Sequence, residues 1–235
     1  MSVFFRRRGK ASVLDDTFAN NDWSAIIAAC QSGNVPDSWA VGDSKTMTIN
    51  GTDYQIDIIG KNHDTYTAGG KAPLTFQMHN CNILYSMNGS YDDEYSATNE
   101  LGWAGCEMRN TRLPSILALM PSEVQAGIKE VNKLTSAGNQ SGTINTTADK
   151  LFLLSEVEIF GSVTYSKSGE GSQYAYYSAG NSKVKYHPEY GNEVPWWERS
   201  PYSDDSTCFC YVNEKGSANF RESNYDILVA FAFCF

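Results

Sequence analysis

"WWERSPYSDDSTCFCYVNEKGSANFRESNYDILVAFAFCF", residues 196–235, is the stretch whose reading decides the fold. Its ends are made for a core: Trp196 and Trp197 open it, and the apolar run Ile227–Phe235 closes it. The middle mixes Tyr, Ser, Asp, Asn, Arg and Phe, with no period that suits one buried face. Three strands are expected within it, at about 207–213, 217–221 and 227–234. The first two are joined by Glu214-Lys215-Gly216, a hairpin-length turn with glycine at its end.

Composition bounds the rest. A chain of 235 residues suits one large domain, or one domain with a small attachment piece. With 14 Tyr, 19 Gly and only 19% charged residues, it leans toward strands, turns and loops rather than long charged helices. The net charge of -9 speaks against a generic nucleic-acid surface, which needs clustered Lys and Arg. Arg6-Arg7-Arg8 is followed by no apolar h-region, so it does not read as a secretory signal, and no run reaches the length of a membrane span. The expectation is a soluble chain made in a cytoplasm, with the triplet a solvated or docking tail. The six cysteines, Cys30, Cys81, Cys106, Cys208, Cys210 and Cys234, include no C-x-x-C spacing, and six buried free thiols are expected rather than a zinc site.

Working back from the C-terminal stretch, "KLFLLSEVEIFG" (150–161) predicts a buried strand at Leu151–Leu154 followed by a capping box, Ser155-Glu156-Val157-Glu158, that starts a short helix. Tyr174, Tyr176 and Tyr177 suit a loop or one helical turn. "SAGNQSGTINTTAD" (136–149) reads as a loop. Val124–Leu134 is ambiguous between a helix end and a strand. Trp103–Met120 has helical spacing interrupted at Pro114, which predicts two short helices. "PLTFQMHNCNILYSM" (73–87) reads as extended chain. "KTMTINGTDYQIDIIG" (45–60) places two β-rich runs around Asn50-Gly51, a preferred hairpin turn. Trp23, Ile26, Ile27 and Cys30 fall on one helical face, with Asp22 to cap it and Gly33 to end it. The fold class expected is α+β, divided into an N-terminal attachment segment with a short helix (1–38) and a ligand-binding domain (39–235).

Catalytic constellations are scarce. His63, His79 and His187 are isolated, Asp92-Asp93-Glu94 lacks the spacing of an EF-hand loop, and there is neither a phosphate-cradling glycine loop nor a G-x-S-x-G. No enzyme, cofactor or metal is expected. The stretch after Pro201 has instead the composition of a binding surface. Tyr supplies large contact area with few rotatable bonds, and Ser, Asn and Asp supply adaptable hydrogen bonding.

The pieces "WAVGDSKTMTINGTDYQIDIIG", "RLPSILALMP", "KLFLLSEVEIFG" and "WWERSP", with the hairpin and closing strand that follow, resemble a family of C-type-lectin-like domains found in gut bacteria and their phages. Trp196-Trp197-Glu198-Arg199-Ser200-Pro201 is similar to the family's Trp-Trp-x-Arg-Ser-Pro signature. The fold is similar to that of the variable proteins of diversity-generating retroelements, in which codons are rewritten at template adenines. The resemblance implies short helices around small antiparallel sheets, with a C-terminal hairpin and a closing strand. It implies a phage tail-tip receptor-binding protein on the virion, or alternatively a bacterial surface adhesin, that binds a host cell-surface protein or glycan. A formylglycine-generating enzyme of related fold is the catalytic alternative, with Cys208, Cys210 and Cys234 its clustered thiols.

Diversified codons of the AAC type never encode Glu, Lys, Gln, Met or Trp, and none of these occurs from Tyr202 through Tyr211. The exposed set so implied is Tyr202, Ser203, Asp204, Asp205, Ser206, Tyr211, Asn213, Ser217, Asn219, Phe220, Arg221, Ser223, Asn224, Tyr225 and Asp226. Cys208, Phe209 and Cys210 obey the codon rule but also suit a scaffold. The Glu-Pro-Asn and Trp-Asn-Asp patterns of calcium-dependent sugar binding are missing: the nearest text is Glu193-Val194-Pro195 and Trp197-Glu198-Arg199. From its lack of regular pattern and its position, Ser2–Asn21 is expected to dock to a tail or baseplate protein, and a homotrimer is the assembly expected by analogy with phage tropism proteins.

Overall fold

Asn50 and Gly51 sit at φ 49° and 81°, the left-handed pair that a two-residue hairpin between right-twisted strands requires. They join β1 (Ser44–Ile49) to β2 (Thr52–Lys61), paired from Ile49↔Thr52 to Ser44↔Asp57. The computed structural model describes residues 13–93 and 96–235; the Arg6-Arg7-Arg8 triplet and Glu94 of the acidic cluster lie outside them. Among the described residues no helix is long and apolar enough to cross a membrane.

Helix α1 (Trp23–Ser32) ends at Gly33, whose φ of 70° is the left-handed conformation that stops a helix. Asp22 stands at the N-cap position, but its side chain makes no capping bond. The helix is too short to be stable alone and is held by its apolar face. Trp23 packs edge-on to Phe76 and Phe235, and Phe18, just before the helix, stacks on Phe76. Trp39 donates its indole N–H to the Asp15 carbonyl. Residues 13–38 therefore share the one core, and a boundary at 38 divides nothing. Deleting Ser2–Asn21 would remove Phe18 from that core.

The chain continues through β3 (Leu74–Met78), β4 (Leu84–Tyr85) and α2 (Gly102–Gly105). The helical break expected at Pro114 falls at Cys106 instead, which is extended at φ -70°, ψ 153°. A π-helical turn, Met108–Arg112, then runs directly into α3 (Leu113–Leu117), with Pro114 near the start of α3. The ambiguous 124–134 segment divides into the end of α4 (Ser122–Gly127) and the start of β5 (Val131–Ser136). The loop expected over 136–149 is confined to 137–143. From Ile144 to Asp149 the chain is strand β6, paired with β5 from Ser136↔Ile144 to Val131↔Asp149. Its Thr and Asn composition reads as loop, and only the partner strand makes it a ladder.

Strand β7 (Leu151–Phe152) leads into α5 (Glu156–Phe160). The capping box is complete there: Ser155 Oγ accepts from the Glu158 N–H, and the Glu158 carboxylate accepts from the Ser155 N–H. One turn, α6 (Ala175–Ser178), buries Tyr177 and follows the buried Tyr174. Then come β8 (Lys185–Tyr186), β9 (Glu193–Val194), β10 (Trp196–Pro201), β11 (Cys208–Val212), β12 (Ala218–Glu222), β13 (Ile227–Leu228) and β14 (Ala232–Cys234). Two five-stranded sheets result, ordered β1-β2-β3-β14-β7 and β12-β11-β10-β13-β4.

The single closing strand expected over 227–234 is two strands. Ile227–Leu228 pairs with β4 and meets β10 in the second sheet, whereas Ala232–Cys234 lies between β3 and β7 in the first. Val229 through Phe235 are fully buried because this run crosses from one sheet to the other. All six cysteines are buried and free. The architecture is thus α+β: short helices around small, largely antiparallel sheets.

Candidate ligand-binding surface

The surface stands on β10, and every residue of Trp196–Pro201 is buried. The indole N–H of Trp196 donates to the Lys183 carbonyl (2.9 Å) and that of Trp197 to the Tyr85 carbonyl (2.8 Å). Arg199 spends its whole guanidinium on the interior. It donates to Thr135 Oγ1 and to the carbonyls of Leu153, Leu134 and Glu170, and it grips both carboxylate oxygens of Glu158. Glu158 also meets Lys133 Nζ at 2.7 Å, and Lys133 meets Asp64 at 2.8 Å and the Tyr174 hydroxyl at 3.0 Å. This buried chain of charges ties β10 to β5, α5 and the loop before β3.

The charges set each other's protonation. Burial pushes the Asp64 carboxyl up, but the Lys133 ammonium, its hydrogen bond and that of Thr75 outweigh burial and hold it at about 2. Burial likewise opposes ionisation of Glu158, and Arg199 with Lys133 turns the balance to a lowered value. Glu170 makes no direct ion pair among the described residues, and the nearby Arg199 charge does not offset its burial. Burial raises it to about 7, against hydrogen bonds from Ser200 and the Ser136 N–H. Glu198 is the extreme case: it is fully buried, neither carboxyl oxygen has a hydrogen-bond partner among the described residues, and burial with the neighbouring Glu156 and Glu170 pushes it well above the usual range.

Above this scaffold the chain changes character. The β11–β12 hairpin puts Phe220 flat against Tyr202, with centroids 4.0 Å apart and planes at 9°, and Tyr165 meets Phe220 edge-on at 5.2 Å. One residue along β12, on the opposite face, Arg221 lies over the Tyr225 ring at 3.9 Å, and Tyr91 meets Tyr225 edge-on at 4.9 Å. A cleft of about 730 Å³ opens beside this second cluster, lined in part by Tyr91, Arg112, Tyr225 and Asp226. The two clusters flank an edge strand whose Phe220, Arg221 and Glu222 are exposed.

Of the expected contact set, Asp204, Ser217, Phe220, Arg221 and Asp226 are exposed. Tyr202, Ser203, Asp205, Ser206, Tyr211, Asn213, Asn219 and Tyr225 are half-buried. Ser223 and Asn224 are not on the surface. Ser223 Oγ accepts from the Thr98 N–H, and the Asn224 amide donates to the Asp93 carbonyl. Two half-buried members serve the backbone: Asp205 accepts from Thr207, and Asn213 accepts from the N–H groups of Lys215 and Ser217. Cys208, Phe209 and Cys210 are buried and belong to the scaffold.

Three contributors lie outside the expected set. Tyr165 and Tyr91 come from loops whose Ser, Gly and Asp content hides them. The Tyr165 loop is fixed from below, because the buried Glu156 carboxylate accepts from the N–H groups of Thr164, Tyr165 and Ser166. Asn99, fully buried, donates its amide to the carbonyls of Tyr202, Asp205 and Cys208 and holds the 202–208 loop. Only an Asn amid "SATNELG" marks it in sequence. The three histidines are dispersed: His63 stacks on Tyr174, His79 pairs with Asp57, and His187 stacks on Tyr190.

Fold and surface together define an α+β protein with an ion-paired core beneath an aromatic, polar-rimmed exterior. The chain belongs to the family described as a domain of unknown function (DUF6273), which matches residues 79–234 and so takes in the whole second sheet and the surface on it. No curated protein matches this chain, and no solved structure does.

Proposed function

We propose that this chain is a ligand-recognition protein of C-type-lectin-like fold. In this reading it is a phage tail-tip receptor-binding protein that contacts a host-surface protein or glycan through the exposed part of Tyr202–Asp226, a surface diversified by a retroelement. The observation that carries the reading is the division within residues 196–235. Trp196–Pro201 is wholly buried, with Arg199 and Ser200 consumed by the scaffold, whereas Tyr202, Phe220, Arg221 and Tyr225 stand above it as stacked pairs. Side chains there can change without altering the core. Aromatic anchors already packed against one another lose little freedom on binding, and the Ser, Asp and Asn around them supply a polar rim.

The thiols weigh against the formylglycine-type alternative. A nucleophilic cysteine needs a lowered pKa, whereas burial pushes Cys208 up and lifts Cys210 and Cys234 well above the ordinary thiol value.

Sequencing the encoding locus tests the proposal. The expected result is a near-copy of the segment for residues 196–235, beside a reverse-transcriptase gene and among tail genes. It should differ at adenines in the codons of the exposed residues and spare those of Trp196–Pro201. A locus with no such copy overturns the diversified reading, and a locus without tail genes overturns the virion assignment.

A further inference from the structure

A second surface, away from the aromatic clusters, has the opposite charge to the molecule as a whole. A groove of about 1110 Å³ runs between the end of α1, the 66–73 segment, the end of α4 with the start of β5, and Lys150 after β6. No residue of the β10-containing sheet or of 202–226 lines it. Cys30 and Ile128 give it an apolar floor, and Lys71, Lys129 and Lys150 stand on its rim against one lining carboxylate, Glu130. All three lysines are exposed, and none forms an ion pair among the described residues. At the end of α1 the carbonyls of Ala28, Ala29 and Cys30 are taken by the N–H groups of Gly33 and Asn34 and by Ser32 Oγ, which offsets part of the negative end of the helix dipole.

In a chain of net charge -9, three ammonium groups with no carboxylate partner among the described residues, one of them (Lys71) bonded to the His63 carbonyl, stand around an apolar floor and favour one chemistry. We propose that the groove docks an acidic, partly apolar peptide segment of a partner protein. Its volume exceeds the roughly 300–1,000 Å³ of small-molecule pockets. Lysines are mobile point charges that suit a row of carboxylates, whereas a compact phosphate would call for a guanidinium fork. The docking surface is independent of the recognition surface, so one molecule could hold both partners at once.

The test uses fluorescence anisotropy with a labelled synthetic peptide alternating Glu and Leu, and a second peptide with Gln for Glu. The Glu peptide should bind saturably. Binding should weaken about tenfold or more in the Lys129→Glu/Lys150→Glu variant and fall as salt is raised. It should be unchanged in Tyr202→Ala/Phe220→Ala. An unchanged melting curve shows that the exposed lysine substitutions leave the fold intact. Equal binding of both peptides, equal binding by wild type and lysine variant, or no saturation overturns the proposal. Self-association that the lysine variant abolishes would overturn it in favour of a second copy of this chain. Loss in that variant of binding to phosphatidylserine vesicles, without peptide binding, would overturn it in favour of a membrane. A failed recognition assay leaves this result untouched, because the two surfaces share no residue.

Discussion

Arg199 and Arg221 stand in the same sheet, two strands apart, and do opposite work. Arg199 is fully buried, and every donor it has meets an acceptor fixed by β5, β7, α5 or the Glu170 loop. Arg221 is exposed on an edge strand and rests on a single tyrosine ring. The same side chain is a keystone in one place and an interchangeable contact in the other. The difference is desolvation: a buried charge must keep all its partners, whereas water compensates an exposed one.

The sharpest break of that contrast is Arg199→Ala. It strands Glu158 and several carbonyls in the interior, and the expected loss is about 3–5 kcal/mol in a urea unfolding curve. Arg199→Lys should lose much of the same energy, because an ammonium cannot reproduce the fork on Glu158. A loss under about 1 kcal/mol would erase the contrast. Next is Glu198→Met. Glu198 is a buried carboxyl with no partner, so an apolar side chain of similar size should stabilise the protein by about 1–3 kcal/mol at neutral pH. The gain should shrink toward pH 4.5. The raised native pKa adds a penalty that exists only where the unfolded chain would ionise Glu198, whereas the unsatisfied carboxyl costs at every pH.

The pH profile sharpens the comparison from inside the core. Asp64 is depressed to about 2, so its stabilisation is present above 3.8 and disappears as pH falls through about 2. Glu170 is raised to about 7, so its contribution is full below 4.5 and is lost as pH rises through about 7. Melting temperature against pH should therefore fall at both ends, and Glu170→Gln should make the neutral limb shallower, the rest belonging to Glu198, while leaving the acid limb unchanged. An unaltered limb in that variant would remove Glu170 as its cause. The smallest expected effect is Arg221→Ala, within about 0.5 kcal/mol of wild type in the same unfolding assay. A cost comparable to that of Arg199→Ala would show the surface to be part of the scaffold.

Elements that declare themselves over a few residues were legible. The Asn50-Gly51 turn, the Ser155 capping box and the apolar face of α1 each need only neighbours in sequence. Strand β6 was hidden because its Thr and Asn pattern becomes a strand only against β5. The split of 227–234 was hidden because an apolar run gives no sign of which sheet covers it. In the candidate surface, composition marked Tyr202–Asp226 as a group. It could not distinguish Phe220, which is exposed, from Ser223, which is buried just after β12 ends. Nor could it find Tyr91 and Tyr165, which reach the surface from distant loops, or the buried Asn99, which holds the 202–208 loop from beneath.

The sequence by itself determined the α+β class, the Trp196-Trp197 anchor, the free thiols and the hairpin. These follow from side-chain chemistry and local backbone preference. The tertiary structure decided which charges are paired, which tyrosines stack and where three lysines meet around one groove. Those facts depend on contacts between residues far apart in the chain, and the energy of a charge or a ring is set by what the fold brings within a few ångströms of it.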